Sequence, residues 1–202
     1  MIFNFKNLKP KNLNAGMTYV ELIVVLSIFA VMSAVVLYNY SEFQAKVDIK
    51  NLASDIASKI IEAQKSSING VLPLAGYDPA TWKPSYGVYF NTANPQQFVY
   101  FVDLNQNGTL ANSDCSTSEC LDEITITKGD FISGIDRCDS SNCALGSHPI
   151  GSLSITFKRP NSDAIFSDTT VTGSRYVQIT IQSPKEAKAL IKIYPSGRVQ
   201  VN

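Results

Sequence analysis

The chain has 202 residues, 45% of them hydrophobic and 17% charged, with a formal net charge of zero. That composition excludes a disordered or low-complexity chain, and the length suits one domain with an accessory segment. The first 16 residues carry Lys6, Lys9 and Lys11 and no acid, a placement that keeps an N-terminus on the cytoplasmic side of a membrane. From Leu22 to Ser41 no residue is charged, and most are Val, Ile, Leu, Ala or Phe. A helix of about 20 such residues spans roughly 30 Å, the thickness of a bilayer's hydrocarbon core.

From Glu42 the pattern turns amphipathic. Ala45, Ile49, Leu52, Ile56, Ile60 and Ala63 recur at steps of three and four, while Lys46, Lys50, Asp55, Lys59 and Glu62 fill other faces. Neither Gly nor Pro occurs between Met17 and Gly70, and Ser67-Ile68-Asn69-Gly70 reads as a C-terminal cap. One helix of about 50 residues, near 75 Å long, is expected.

Beyond it, short strands are predicted at 86–90, 97–102, 123–128, 152–158, 176–182, 189–194 and 198–201. Alternation is clearest in Leu153-Ser154-Ile155-Thr156-Phe157 and Val177-Gln178-Ile179-Thr180-Ile181, and Pro195-Ser196-Gly197 marks a tight hairpin turn. The expected fold class is α+β. A long N-terminal α-helix, membrane-spanning in its first half, packs its second half on an antiparallel β-sheet head.

Three readings compete for the N-terminus. A cleaved secretory signal should have a shorter apolar run, of about 7–15 residues, ending at a small-x-small site. A plain anchor leaves Glu21 unexplained, since a carboxylate at the edge of the apolar run is costly without a partner. The third reading rests on Ala15-Gly16-Met17-Thr18-Tyr19-Val20-Glu21-Leu22, which closely resembles the cleavage motif of type IV prepilins and type II secretion pseudopilins. The resemblance implies that a prepilin peptidase cuts after Gly16 and methylates the new amino group of Met17. It also implies that Glu21 pairs with such an amino group on a neighbouring subunit and sets its axial register. Glycine leaves a peptidase room at the backbone. Residues four apart share a helix face, so Met17 and Glu21 of one chain could also pair.

Met departs from the commoner Phe after the cut, and Tyr38 stands where many major pilins carry Pro. In the head, the Gly-Val-Tyr-Phe and Phe-Val-Tyr-Phe-Val-Asp strands and the terminal Ile-Tyr-Pro-Ser-Gly-Arg-Val hairpin look like the H-type minor pseudopilins and their pilus counterparts. The organisation so implied is a leader at 1–16, a transmembrane and filament-core segment at 17–41, an amphipathic segment at 42–69 and an exported head at 70–202.

The loop Asp103-Leu104-Asn105-Gln106-Asn107-Gly108 places oxygen side chains at alternate positions before a glycine, and Asp114 falls twelfth. Two readings stand: the first half of an EF-hand-type calcium (Ca2+) loop, with Asp103, Asn105, Asn107 and Asp114 as ligands, or an Asx-rich turn that needs no metal. Some pseudopilins bind calcium in a head loop, so the resemblance is compatible with the first. The cysteines form two patches, Cys115 with Cys120 and Cys138 with Cys143. Export favours two disulfides over a zinc site, and of the three possible connectivities pairs within each patch are the expectation.

An enzyme is not expected. His148 is the only histidine, and no phosphate-binding or dinucleotide-binding glycine motif is present. Residues 78–139 hold three basic and nine acidic side chains, and residues 158–202 hold seven basic and three acidic. The basic ones are scattered with little aromatic interleaving, which argues against a nucleic-acid partner. The function expected is that of a structural subunit, a minor pilin or pseudopilin, whose partners are the prepilin peptidase, the inner membrane and other pilin subunits. It would be a single-pass membrane protein with an exported head, at the cell surface or in the periplasm. The competing class is a membrane-tethered, exported calcium-binding or adhesion domain that does not polymerise.

Overall fold

The computed structural model describes residues 16–71, 82–83, 85–110, 115–116, 118–139, 143–168 and 173–202. The chain divides into two compact units, Met1–Ser41 and Glu42–Asn202. One α-helix, α1 (Tyr19–Ile68, 50 residues), contributes to both. Nine strands follow: β1 (Ser85–Asn91), β2 (Gln97–Val102), β3 (Cys120–Thr125), β4 (Phe131–Cys138), β5 (Ser152–Lys158), β6 (Ala164–Phe166), β7 (Tyr176–Gln182), β8 (Lys188–Ile193) and β9 (Val199–Val201). The architecture is α+β: a long apolar N-terminal helix and two antiparallel sheets, ordered β3-β2-β1-β5-β6 and β4-β7-β8-β9.

In the first unit, the apolar side chains of α1 are exposed along its whole length. Tyr19, Phe29, Met32 and Leu37 are each more than two-thirds exposed or close to it (78%, 68%, 67% and 69%). This helix is long and apolar enough to cross a membrane. Two serine hydroxyls within it are satisfied locally, Ser27 donating to the Val24 carbonyl and Ser41 to that of Tyr38. That arrangement suits a polar group in an apolar phase, where no water is available as a partner.

In the second unit, α1 buries Ile49, Ala53, Ile56, Ala57, Ile60 and Ala63. Leu52, expected on the stripe, is only half-buried, and Ala53 takes the inward position. Steps of four, three, four and three from Ile49 keep Ala53, Ile56, Ile60 and Ala63 on one side of a 3.6-residue turn. The core they enter joins the helix to both sheets through Val88, Phe90, Leu153, Ile155, Phe157, Ile179 and Ile191.

The helix ends as its sequence predicts. The Val71 amide donates to the Ser66 carbonyl and the Gly70 amide to that of Ser67. Gly70 sits at φ 67°, so the pair of bonds forms a Schellman cap with glycine in the left-handed position. Side chains then pin this end to the sheets. Ser67 donates to the Phe157 carbonyl, Tyr86 to that of Val71 (2.9 Å), and Gln64 to Ser162 (2.8 Å) and Gly197 (3.2 Å).

Burial, with a smaller contribution from Tyr100, pushes the Tyr86 hydroxyl up to about 12. An unfolded tyrosine ionises near about 10, so between these values unfolding releases a proton and stability falls as pH rises. Burial raises Tyr100 too, so titration of tyrosinate absorbance should show late-ionising groups, of which Tyr86→Phe removes one. Ionisation of every tyrosine near the ordinary value would contradict this placement.

Two of the nine strands were not expected from the sequence. In β4, Gly134 and Asp136 interrupt the apolar alternation, and the register shifts at Ile132/Gly134 against β7. Strand β6 has only three residues and is defined by pairing with β5. The predicted strand at 123–128 lies earlier, at Cys120–Thr125, with a register shift where β2 meets it. The run Phe98–Val102 is buried on both faces. Phe98, Tyr100 and Val102 enter the main core, while Val99 and Phe101 meet Leu110 in a second, smaller cluster flanked by Tyr89, Cys115 and Cys120.

Candidate functional site

Gly16, Met17 and Thr18 are exposed and non-helical, immediately before α1. Among the described residues, nothing lies within 4 Å of a Cβ placed on Gly16. Thr18 caps the helix: its hydroxyl oxygen accepts the Glu21 amide at 3.3 Å, and its carbonyl accepts the Leu22 amide at 3.1 Å. Thr18-x-x-Glu21 therefore has the spacing of a capping box, with the acid in the first turn at the positive end of the helix dipole. Sequence reasoning fixed on Glu21 alone; the threonine three residues earlier was the available signal. Beyond Glu21 no charged residue follows until Glu42, and the exposed large hydrophobic side chains run from Leu22 to Tyr40.

In the head, Asp103 is buried and holds its loop by hydrogen bonds. Its carboxylate accepts the amides of Asn107 and Gly108, each at 3.0 Å, and the Ser85 hydroxyl at 3.3 Å. Asn105 Oδ1 accepts the Asn107 amide at 2.9 Å, and Asn107 Oδ1 accepts the Thr109 amide at 2.8 Å. Glu119, also buried, accepts the Asn105 amide at 3.4 Å. These bonds describe the Asx-rich turn. Asp114 lies outside the described residues, and among those described no three carboxylate, imidazole or thiolate side chains are placed to share one metal ion.

The disulfides are local, Cys115–Cys120 and Cys138–Cys143, with Cα atoms 5.1 Å and 5.5 Å apart. The first packs beside Val99, Phe101 and Leu110, where it backs the outer face of β2. The second closes the loop that follows β4. There Asp136, 1% exposed, accepts the Gly146 amide at 2.9 Å and the His148 amide at 3.3 Å. Asp136 is a structural carboxylate that the sequence did not single out, because its partners are backbone amides in a distant loop. His148 enters this network through its backbone.

No protein-family model matches the chain, and neither a curated protein nor a solved structure matches it. Functional inference therefore rests on the residues themselves.

Proposed function

We propose that this chain is a structural subunit of a type IV pilus or type II secretion-like filament, processed by a prepilin peptidase after Gly16. The observation that carries the reading is α1: a capped, uninterrupted helix with an exposed apolar first segment that opens on a single acid, Glu21. The same helix buries a stripe of Ile and Ala side chains in an antiparallel β core further along. Residues 17–41 are the membrane-spanning segment before assembly and the filament core after it. An exposed apolar helix must be covered by lipid or by protein, and helices of neighbouring copies supply the second option. The Met17 ammonium and the Glu21 carboxylate are each costly in an apolar phase and tolerable together. The head is the exported part, where two disulfides persist.

The test is the intact mass and N-terminal peptide of the protein recovered from its native membrane. A chain that begins at Met17 with one added methyl group is expected. A Met1 start would support the tethered, non-polymerising alternative, and a start well inside the apolar segment would indicate an ordinary secretory signal.

A further inference from the structure

Asn107-Gly108-Thr109 has the Asn-x-Ser/Thr spacing at which a carboxamide nitrogen accepts an N-linked glycan in exported chains. That spacing carries meaning only on an accessible loop, and Asn107 is exposed in the loop between β2 and β3. The backbone there is tied down. Buried Asp103 accepts the Asn107 and Gly108 amides, and Asn105 Oδ1 also accepts that of Asn107. Gly108 takes φ 78°, the left-handed conformation that turns the chain back so that Thr109 meets Asn107.

The two ends of the Asn107 carboxamide have different surroundings. Its oxygen, Oδ1, accepts two bonds from Thr109, the backbone amide at 2.8 Å and the side-chain hydroxyl at 2.9 Å. Its nitrogen, Nδ2, is engaged by no hydrogen bond among the described residues. A carboxamide nitrogen is ordinarily a poor nucleophile, because its lone pair is delocalised onto the oxygen. When Nδ2 gives up a proton, negative charge collects on Oδ1, and two donors already aimed at that atom stabilise it as an oxyanion hole would. A turn that only shapes the loop requires the amide bond alone, and the hydroxyl bond is the additional feature.

The chain supplies its own contrast. Asn39-Tyr40-Ser41 has the same spacing but lies inside α1, where positions two apart do not face each other, and the Ser41 hydroxyl donates to the Tyr38 carbonyl.

We propose that Asn107 is an N-glycosylation site whose donor is an oligosaccharide linked to a polyprenyl diphosphate. In the transfer, the Nδ2 electron pair forms a bond to the anomeric carbon of the first sugar. The bond from that carbon to the diphosphate oxygen breaks and its electron pair leaves with the diphosphate. A carboxylate of the transferase takes the Nδ2 proton, and nothing is oxidised or reduced. The site rests on the filament reading only in needing an exported head.

The test uses the full chain recovered from its native membrane. Peptides containing the N-terminus, Asn39 and Asn107 are sequenced by mass spectrometry under fragmentation that preserves glycans. An added glycan mass on Asn107 and none on Asn39 is expected. Asn107→Gln and Thr109→Val, produced in the same host, should each lose it, and Thr109→Ser, which keeps the hydroxyl, should retain it. Retention in Thr109→Val, or a glycan on Asn39, would show that the turn does not select the site and would overturn the assignment. A chain that begins at Met17 with Asn107 bare would overturn the site and leave the filament reading standing. A Met1 start with Asn107 glycosylated would do the reverse, and a Met1 start with Asn107 bare would overturn both.

Discussion

Glu21→Ala should leave the chain cleaved after Gly16 and held in the membrane but absent from filaments. The substitution removes the one acid at the head of an otherwise apolar exposed segment. In the proposed assembly it leaves the Met17 ammonium of a neighbouring copy without its partner. Breaking such a pair costs about 3–5 kcal/mol, enough to lower the assembled fraction by about 100-fold or more. The capping role has to be separated from the pairing role. Thr18 and Glu21 form the capping-box spacing, and loss of a cap costs only about 1 kcal/mol. Glu21→Gln keeps a side chain that can complete the box and discards the charge. Filament yield measured by shearing and immunoblot should fall equally in both variants. Normal yield from Glu21→Gln would assign the residue to capping and would sink the register role.

Ile60→Ala should lower the stability of the head by about 2–5 kcal/mol, the range for truncating a fully buried aliphatic side chain in a packed core. Ile60 is 0% exposed in the cluster shared by helix and both sheets. For a domain of this size the loss corresponds to roughly 5–20 °C in the thermal midpoint, followed by circular dichroism of the detergent-solubilised protein. Ile61, its neighbour, is 36% exposed, and Ile61→Ala should change stability by only about 0.5 kcal/mol. Equal effects at the two positions would show that this turn of α1 is not docked as described.

The long helix was legible because its cues agree: periodicity, absence of Gly and Pro, and a glycine just past its end. Strands β5 and β7 were legible from alternation, and the β8–β9 turn from Pro195-Ser196-Gly197, where Tyr194 and Arg198 pair across it at 2.9 Å. Strand β4 was hidden because Asp136, a buried carboxylate, reads as a loop residue until the 143–148 loop supplies its amides. Ala53 was passed over for Leu52 because side-chain size was weighed ahead of helical phase. The capping threonine was legible in principle, being three residues from Glu21. Cysteine spacing favoured pairing within each patch without deciding it, and the fold places both pairs locally.

The strand order also sets a timetable. Strand β1 lies between β2 and β5, and β5 is more than sixty positions further along the chain; β4 likewise waits for β7. Closing such long-range pairs is slow, because the loop entropy is lost before any contact compensates for it. The core around Ile60 therefore cannot close until most of the chain is available. The cysteine pairs keep a different clock. Each spans five positions, so each can oxidise as soon as its own patch meets an oxidant, ahead of the sheets. Such short local closure leaves little chance for a cysteine of one patch to meet one of the other.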